Sequence, residues 1–550
     1  MKMEDVKKSN EIVTLTFGDV VKETIRCQKC LLIDNSDYFR AMFSSGMIES
    51  QNNEVRIKDV DISVMKELIE YIITKKISLT GDMVYSITAA ACRFQITDLI
   101  QICCTYLEKT LWHTSCISTL ELSQIYDLRH LFNVSKRHLQ HYFTQVSKTD
   151  EFLSVQVTTL QWLLQEKALN VESELDVYTA FERWIDADVD NRLQYADELC
   201  TFIHMEELPY QPDREQKLKY LKISQEDVMK NRNKKNRMFR QVPKAMLCVG
   251  LQFLNKSSNK FVFYPGIYKF STEDKCFDLK KCVAHMSEVW PNIEGHGGLS
   301  VCVNGKDIII SGGEPVLGKN TWNLNVFCFD TFTQKWRILT NLPSLRRHHT
   351  SCVLDNSLYL IGGFGRYRVR LNSMEKYNFD EGKWYVMAPS PMHGFHSAVT
   401  VMNSNIYALF SNSAAFYYSP IQDTWTHLLL PSAISMDTIS FVGLYSYNDM
   451  MYARTNTNKI YIIKIDSAKS LEIVSSLEHF VGVHGNTQGM QICNDVMCCI
   501  YTQNDPEMLC VKLHESQDVN KVKQVVKNYD EDLILTSECK WDLVTIPEYD

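Results

Sequence analysis

Three groups of residues in this chain carry reactive or ligand-binding chemistry. Cys27 and Cys30 form a CxxC, the spacing of half a zinc site. His285, His296, His348, His349, His393, His396, His427, His479 and His484 crowd the C-terminal half. Arginines form two clusters there. Arg346 and Arg347 precede His348 and His349, while Arg366, Arg368 and Arg370 alternate with Tyr367, Val369 and Leu371.

Each group points to a different chemistry. No second cysteine pair and no histidines at ligand spacing follow Cys30 nearby, so no metal is expected. The histidines fall into no metal or triad arrangement, and no acid, base and nucleophile converge, so neither an enzyme nor a cofactor is expected. His296, His349 and His396 recur about fifty residues apart, which points to repeated construction rather than one active site. Arginine forks bind carboxylates in bidentate fashion. Arg346, Arg347, Arg366, Arg368 and Arg370 would therefore suit an acidic peptide if they share one face. The other reading of Arg366, Arg368 and Arg370 is the solvated side of an alternating strand.

The elements that position these residues must be built from 550 residues, enough for three or four domain-sized units. Hydrophobic residues make up 45% and charged residues 23%, which supports buried cores and argues against wholesale disorder. The net charge of -8, from 58 basic and 66 acidic residues, argues against a nucleic-acid binder. The start, MKMEDVKKSNEIV, lacks the apolar run of a secretory signal, and no stretch of 18 apolar residues spans a membrane. The eighteen cysteines are scattered, with adjacent pairs at Cys103-Cys104 and Cys498-Cys499. Reduced thiols in the cytoplasm, with the nucleus as a second compartment, are the simpler expectation.

The chain changes character near residue 245. Before it, apolar residues fall at three- and four-residue steps, as in Val64, Leu68, Ile69, Ile72, Ile73 and in Val177, Phe181, Trp184, Ile185. These stripes predict buried helix faces. The joint carries Lys230, Arg232, Lys234, Lys235, Arg237 and Arg240, then Pro243. A solvated helix end and linker is expected in preference to a nuclear-import or nucleic-acid patch, because no aromatic residues interleave for base stacking.

After residue 245 a repeat emerges. Ile309-Ile310-Ser311-Gly312-Gly313 recurs as Leu360-Ile361-Gly362-Gly363. Val326 to Asp330 and then Trp336 follow the first copy; Met374 to Tyr377 and then Trp384 follow the second. A third copy keeps Ile406 to Leu409, Phe416 to Tyr418 and Trp425 without the glycines. Prolines follow each tryptophan, at Pro343, at Pro389 and Pro391, and at Pro431. About four strands per 40–50 residues mark a propeller blade, whose sheet must be covered by its neighbours. The glycines permit turns or close backbone approach, and the tryptophan fills the wedge between blades. Weaker repeats flank these: one over 246–290 with Phe277 in the tryptophan position, one over 436–478, and one from 483 to the end that includes Trp541. Six blades are expected, with 515–535 as a polar insertion loop in the last.

Residues 309–431 resemble kelch repeats. The segment from Ile25 to Glu49 resembles the helix–turn–helix stretch of BTB domains, with landmarks at Leu31, Leu32, Ser36, Tyr38, Phe39, Met42, Phe43, Met47 and Glu49. The strand at Val55 and the helix Ser63 to Thr74 follow in the family's order, and Ala89 to Leu99 looks like the closing helix. Glu151-Phe152-Leu153, Leu169 to Glu174, and Trp184 resemble a BACK domain. The resemblance implies a multidomain fold: an α+β BTB domain over 1–110, an all-α BACK domain with basic linker over 111–243, and an all-β kelch propeller over 244–550.

It further implies a non-catalytic substrate adaptor of a cullin-RING ubiquitin ligase, acting by proximity. The BTB domain and the start of BACK would hold the cullin, and the propeller would hold the protein substrate. The cullin-docking feature, an apolar residue, any residue and then glutamate, is matched by Met47-Ile48-Glu49, with Tyr38 on the same surface. The family's BTB domain also forms homodimers through an N-terminal helix. Here only about ten residues precede Ile12, which stands in place of the customary aspartate, and Gln28 stands in place of a histidine. The self-complementary surface of a dimer is correspondingly reduced. The alternative function is a cytoskeletal scaffold binding actin without a ligase role. A transcriptional regulator is disfavoured because paired zinc-finger ligands are missing.

Overall fold

The computed structural model describes residues 11–17, 23–44, 53–171, 173–205, 208 and, with breaks, 240–549. The chain divides into two compact units: Met1–Val242 together with Tyr549–Asp550, and Pro243–Glu548.

The first unit opens with a three-stranded sheet. β1 (Ile12–Phe17) pairs antiparallel with β2 (Glu23–Gln28) and parallel with β3 (Glu54–Ile57). Alternation along β1 sends Val13, Leu15 and Phe17 inward. Helices α1 (Lys29–Asn35), α2 (Asp37–Ser44), α3 (Ile62–Thr74), α4 (Gly81–Arg93) and α5 (Thr97–Lys109) supply most of the rest of that core. In α3, Val64, Leu68, Ile69 and Ile72 are buried as the stripe predicts. Ile73 departs from it and is 60% exposed, because a fifth apolar residue at that step leaves the buried arc. Lys75 ends α3 in the left-handed conformation, its N–H donating to Tyr71 O.

A second helical core lies between Cys116 and Ile203. Its α6 (Glu174–Asp186) starts with a capping box between Ser173 and Asp176 and buries Val177, Phe181, Trp184 and Ile185. The Trp184 indole N–H donates to Val155 O at 2.9 Å.

The second unit is built of antiparallel meanders. β7 (Ser300–Asn304), β8 (Asp307–Ser311), β9 (Asn325–Asp330) and β10 (Lys335–Asn341) form one sheet in sequence order. β11 (Thr350–Leu354), β12 (Ser357–Phe364), β13 (Arg370–Asn378) and β14 (Lys383–Met387) form the next. Three more four-stranded sheets follow: β15 (Ala398–Met402) to β18 (Thr424–Leu428), β19 (Phe441–Tyr447) to β22 (Leu471–Leu477), and β23 (Asn486–Cys493), β24 (Val496–Thr502), β25 (Pro506–Lys512), β26 (Val519–Lys523). The apolar runs of the three repeat copies are β8, β12 and β16 (Asn405–Leu409), each the second strand of its sheet.

The C-terminal end departs from the sequence expectation twice. Trp541 belongs not to the last repeat but to β29 (Trp541–Pro547), which pairs antiparallel with β4 (Lys244–Asn255). β4 belongs to the first sheet, with β5 (Lys260–Ser271) and β6 (Cys276–His285). Nor is 515–535 simply a loop. β26 completes the last four-stranded sheet, β27 (Val526–Lys527) adds to β6, and β28 (Leu533–Ile534) adds to β4. Closing a ring of sheets removes exposed strand edges, and a strand from the chain end is available to do so.

The repeat tryptophans link neighbouring sheets. Trp384 on β14 donates to Asn341 O on β10 at 2.8 Å, and Trp425 on β18 donates to Ala388 O at 3.1 Å. Each ring packs into a cluster formed with the preceding sheet. A polar handle and a large apolar face suit an indole to this junction.

Candidate functional site

The double glycines and the arginine clusters are parts of one construction. The segment Ser344–His349 connects β10 to β11 and crosses the ends of β8 and β12. Gly313 N–H donates to Arg346 O at 3.0 Å, and His348 N–H donates to Gly298 O at 2.6 Å. Arg347 and Phe364 exchange backbone hydrogen bonds of 3.0 and 2.8 Å. The close crossing explains the glycines. Gly312 and Gly363 have φ of +66° and +94°, and a Cβ on them would lie 2.6 Å from Arg346 O and 2.7 Å from Arg347 O.

The two arginines of this segment point inward. Arg346 is 0% exposed, and its guanidinium pairs with Glu375 on β13. It also donates to Ser344 Oγ at 2.8 Å and Ser373 Oγ at 3.1 Å. Burial lowers its pKa, while Glu375 beside it acts the other way. Arg347, 8% exposed, donates to Glu314 Oε2 at 2.6 Å and lies over the Trp322 ring at 5.5 Å. His349 is buried, with Nε2 2.8 Å from Ser311 Oγ. Desolvation, followed by the Arg346 and His348 charges, holds its pKa well below 6.5.

The sequence counts Arg346 and Arg347 among the peptide-binding forks. In the fold their forks are occupied by Glu375 and Glu314, which lie 29 and 33 residues away in the chain. Only folding brings those carboxylates there, so sequence reasoning had no signal for Glu314, Glu375 or Trp322.

The second cluster faces outward. Between β12 and β13 the chain makes a short helical turn rather than a continuous alternating strand, with Tyr367 and Arg368 both at positive φ, 55° and 59°. Hydrogen bonds from Val369 N–H to Arg366 O and from Gly365 N–H to Val369 O brace the turn. Arg366, Arg368 and Arg370 are exposed, and Tyr367 at the tip is 96% exposed. The first cluster thus binds through backbone, at Arg347 and Phe364, to the strand end that leads into the second, while the side chains of the two clusters face different surroundings.

In the first unit, Tyr38 on α2 is half-buried, its ring 5.3 Å from Phe39 and 5.5 Å from Phe94. Phe39 is a core residue stacked on Phe94. Met47 and Glu49 lie outside the described residues. Cys27 sits in the core, where burial pushes its thiol up to about 11. Of the basic run, 230–239 lies outside the described residues. Arg240 is not solvated as expected, and its fork is buried against Glu174.

The architecture is an α/β domain and a helical domain followed by the antiparallel sheets of a kelch β-propeller. Residues 7–111 match the BTB/POZ domain, 116–214 the BACK (BTB And C-terminal Kelch) domain, and 345–391 the kelch motif. The human kelch repeat and BTB domain-containing protein 2 is 24% identical over 547 residues, covering 92% of this chain and 83% of that protein. The mouse kelch repeat and BTB domain-containing protein 3 is 24% identical, covering 74% and 71%. Kelch-like protein 25 of Xenopus laevis is 26% identical, covering 66% and 63%. The three domains and their order match the BTB-BACK-kelch family, as do the kelch-like and the kelch repeat and BTB domain-containing relatives. Among the described residues no helix is long and apolar enough to cross a membrane.

Proposed function

We propose that this chain is the substrate-recognition subunit of a cullin-RING ubiquitin ligase. The BTB domain (1–110) and the start of the BACK domain (111–243) hold the cullin through Met47, Glu49 and Tyr38. The propeller (244–550) holds the substrate. The chain contributes no catalytic group; it raises the effective concentration of substrate beside the ligase's catalytic subunits.

The observation that carries the substrate half is the exposed turn Arg366–Arg370. The exposed Arg366, Tyr367 and Arg368 stand on a turn braced by its own backbone, and the exposed Arg370 opens the strand that follows it. Such a turn suits an acidic segment, with arginine forks on carboxylates and tyrosine covering the stem of the peptide. Arg346 and Arg347 serve this reading indirectly, by fixing the strand ends from which the turn rises.

Co-purification of the full chain with a cullin and with its captured proteins tests both halves. Replacement of Met47 and Glu49 by alanine is expected to remove the cullin and keep the captured proteins. Arg366→Glu with Arg368→Glu is expected to do the reverse. Retention of the cullin by the first variant, or of every captured protein by the second, overturns the corresponding half.

A further inference from the structure

The first and last sheets of the second unit share a core rich in sulfur, to which Cys248, Cys282, Cys493, Cys498 and Cys510 all contribute. Two of these thiols stand in a special relation. β24 and β25 are antiparallel, and their register sets Cys498 directly opposite Cys510. The two Sγ atoms are 3.4 Å apart. Directly opposed residues of an antiparallel pair have Cα atoms about 4.5–5.5 Å apart, inside the roughly 4.4–6.8 Å span of disulfides. A bond between these sulfurs therefore needs side-chain rotation, not a change of register.

The pair is also reachable. Cys498 and Cys510 both line a cavity of about 650 Å³, together with Lys244 and Cys493. The thiols there are not equivalent. Either thiol can donate to the other; their hydrogen bond lowers the Cys510 pKa against the effect of burial, and Cys510 is half-buried while Cys498 is only 6% exposed, so Cys510 is the more accessible of the two. Cys493 instead donates to Lys244 O at 3.0 Å, and burial pushes it up to about 11. Thiolate character governs attack on oxidants.

We propose that Cys498 and Cys510 are a redox modification site, closing to an intrachain disulfide on exposure to hydrogen peroxide. Cys510 is the attacking thiol and Cys498 the resolving one. The Cys510 thiolate attacks one peroxide oxygen and breaks the O–O bond, giving a sulfenic acid and hydroxide, which takes up the proton released by the thiol. The Cys498 sulfur then attacks the sulfenic sulfur. The S–S bond forms, the S–O bond breaks, and the hydroxyl leaves with the Cys498 proton as water. Two thiols are oxidised and one peroxide is reduced to two waters.

The test uses the full-length chain, reduced, freed of reductant, treated with hydrogen peroxide and digested without reductant. Mass spectrometry is expected to find the peptides of Cys498 and Cys510 joined, and dithiothreitol is expected to separate them. In Cys498→Ser, dimedone is expected to trap a sulfenic acid at Cys510; in Cys510→Ser, Cys498 is expected to stay unlabelled. The wild-type cross-link decides whether the pair reacts, even if a serine variant folds poorly. Full alkylation of both cysteines at a peroxide dose that oxidises exposed thiols, or a cross-link through Cys493 or Cys499 instead, overturns the site. Dimedone labelling at Cys498 in place of Cys510 overturns the assigned order.

Discussion

The guanidinium of Arg240 lies buried against the carboxylate of Glu174, Nε to Oε2 at 2.8 Å, with side-chain exposures of 3% and 1%. The same guanidinium donates to Glu166 O at 2.6 Å, Leu164 O at 2.8 Å and Phe202 O at 3.0 Å. Glu174 in turn accepts from His204 N–H at 2.9 Å. One arginine at the end of a basic run thus gathers three carbonyls and a carboxylate in the helical part of the first unit.

Removing one member of this pair leaves a buried charge without its partner. Arg240→Ala is expected to destabilise the first unit by about 3–5 kcal/mol. The double replacement Arg240→Met with Glu174→Leu is expected to recover part of that loss, because it removes both charges together. Urea unfolding of the four proteins in the cycle measures the coupling; independent, additive losses would contradict it.

Arg346 and Arg347 are expected to behave as structural residues. Arg346→Ala strands the Glu375 carboxylate and Arg347→Ala that of Glu314, each destabilising the second unit by about 3–5 kcal/mol. Arg366→Ala and Arg368→Ala are expected to stay within about 0.5 kcal/mol of the parent, as for ordinary exposed positions. Thermal melts of single variants separate the two sets.

Gly363 carries a backbone that a side chain cannot follow. At φ +94°, with Arg347 O 2.7 Å from any Cβ, Gly363→Ala is expected to cost about 3 kcal/mol. Gly382 has φ +65° but no such close neighbour, its hypothetical Cβ lying 3.8 Å from the Tyr377 hydroxyl. Gly382→Ala is expected to cost about 1 kcal/mol, the left-handed strain alone. Equal losses at the two positions would remove the backbone crossing as the cause.

His349 sets a pH dependence. Its folded pKa lies well below 6.5, so below that pH the unfolded chain binds the proton that the folded chain refuses. Its contribution is fully present above 6.5 and is lost as pH falls from there towards the folded value. His349→Asn is expected to flatten the acid limb of the stability profile below about pH 6.5. Unfolding midpoints measured from pH 8 to 5 check this; parallel profiles for parent and variant would exclude it.

The local pattern of this protein was legible in its residues. Periodicity marked the buried face of Glu174–Asp186, and the repeat of Gly-Gly, strand and tryptophan marked the sheets of the second unit. These signals are local, because side-chain spacing of two or 3.6 follows from the backbone geometry of a single element. Long-range pairing was not legible. Alternating arginines at 366–370 read equally well as strand or as binding loop, until two left-handed residues lifted them into an exposed turn. Arg346 and Arg347 looked like surface forks until Glu375 and Glu314 arrived from other strands. Arg240 looked like part of a solvated linker, and Trp541 like part of the last repeat rather than a strand on β4. A charged side chain's partner is fixed by whatever folding brings beside it, and composition and spacing carry no record of that. The sequence alone determined the order of domains and the kind of elements in them. The tertiary structure decided which arginines are buried on carboxylates inside the propeller and which stand exposed on its surface.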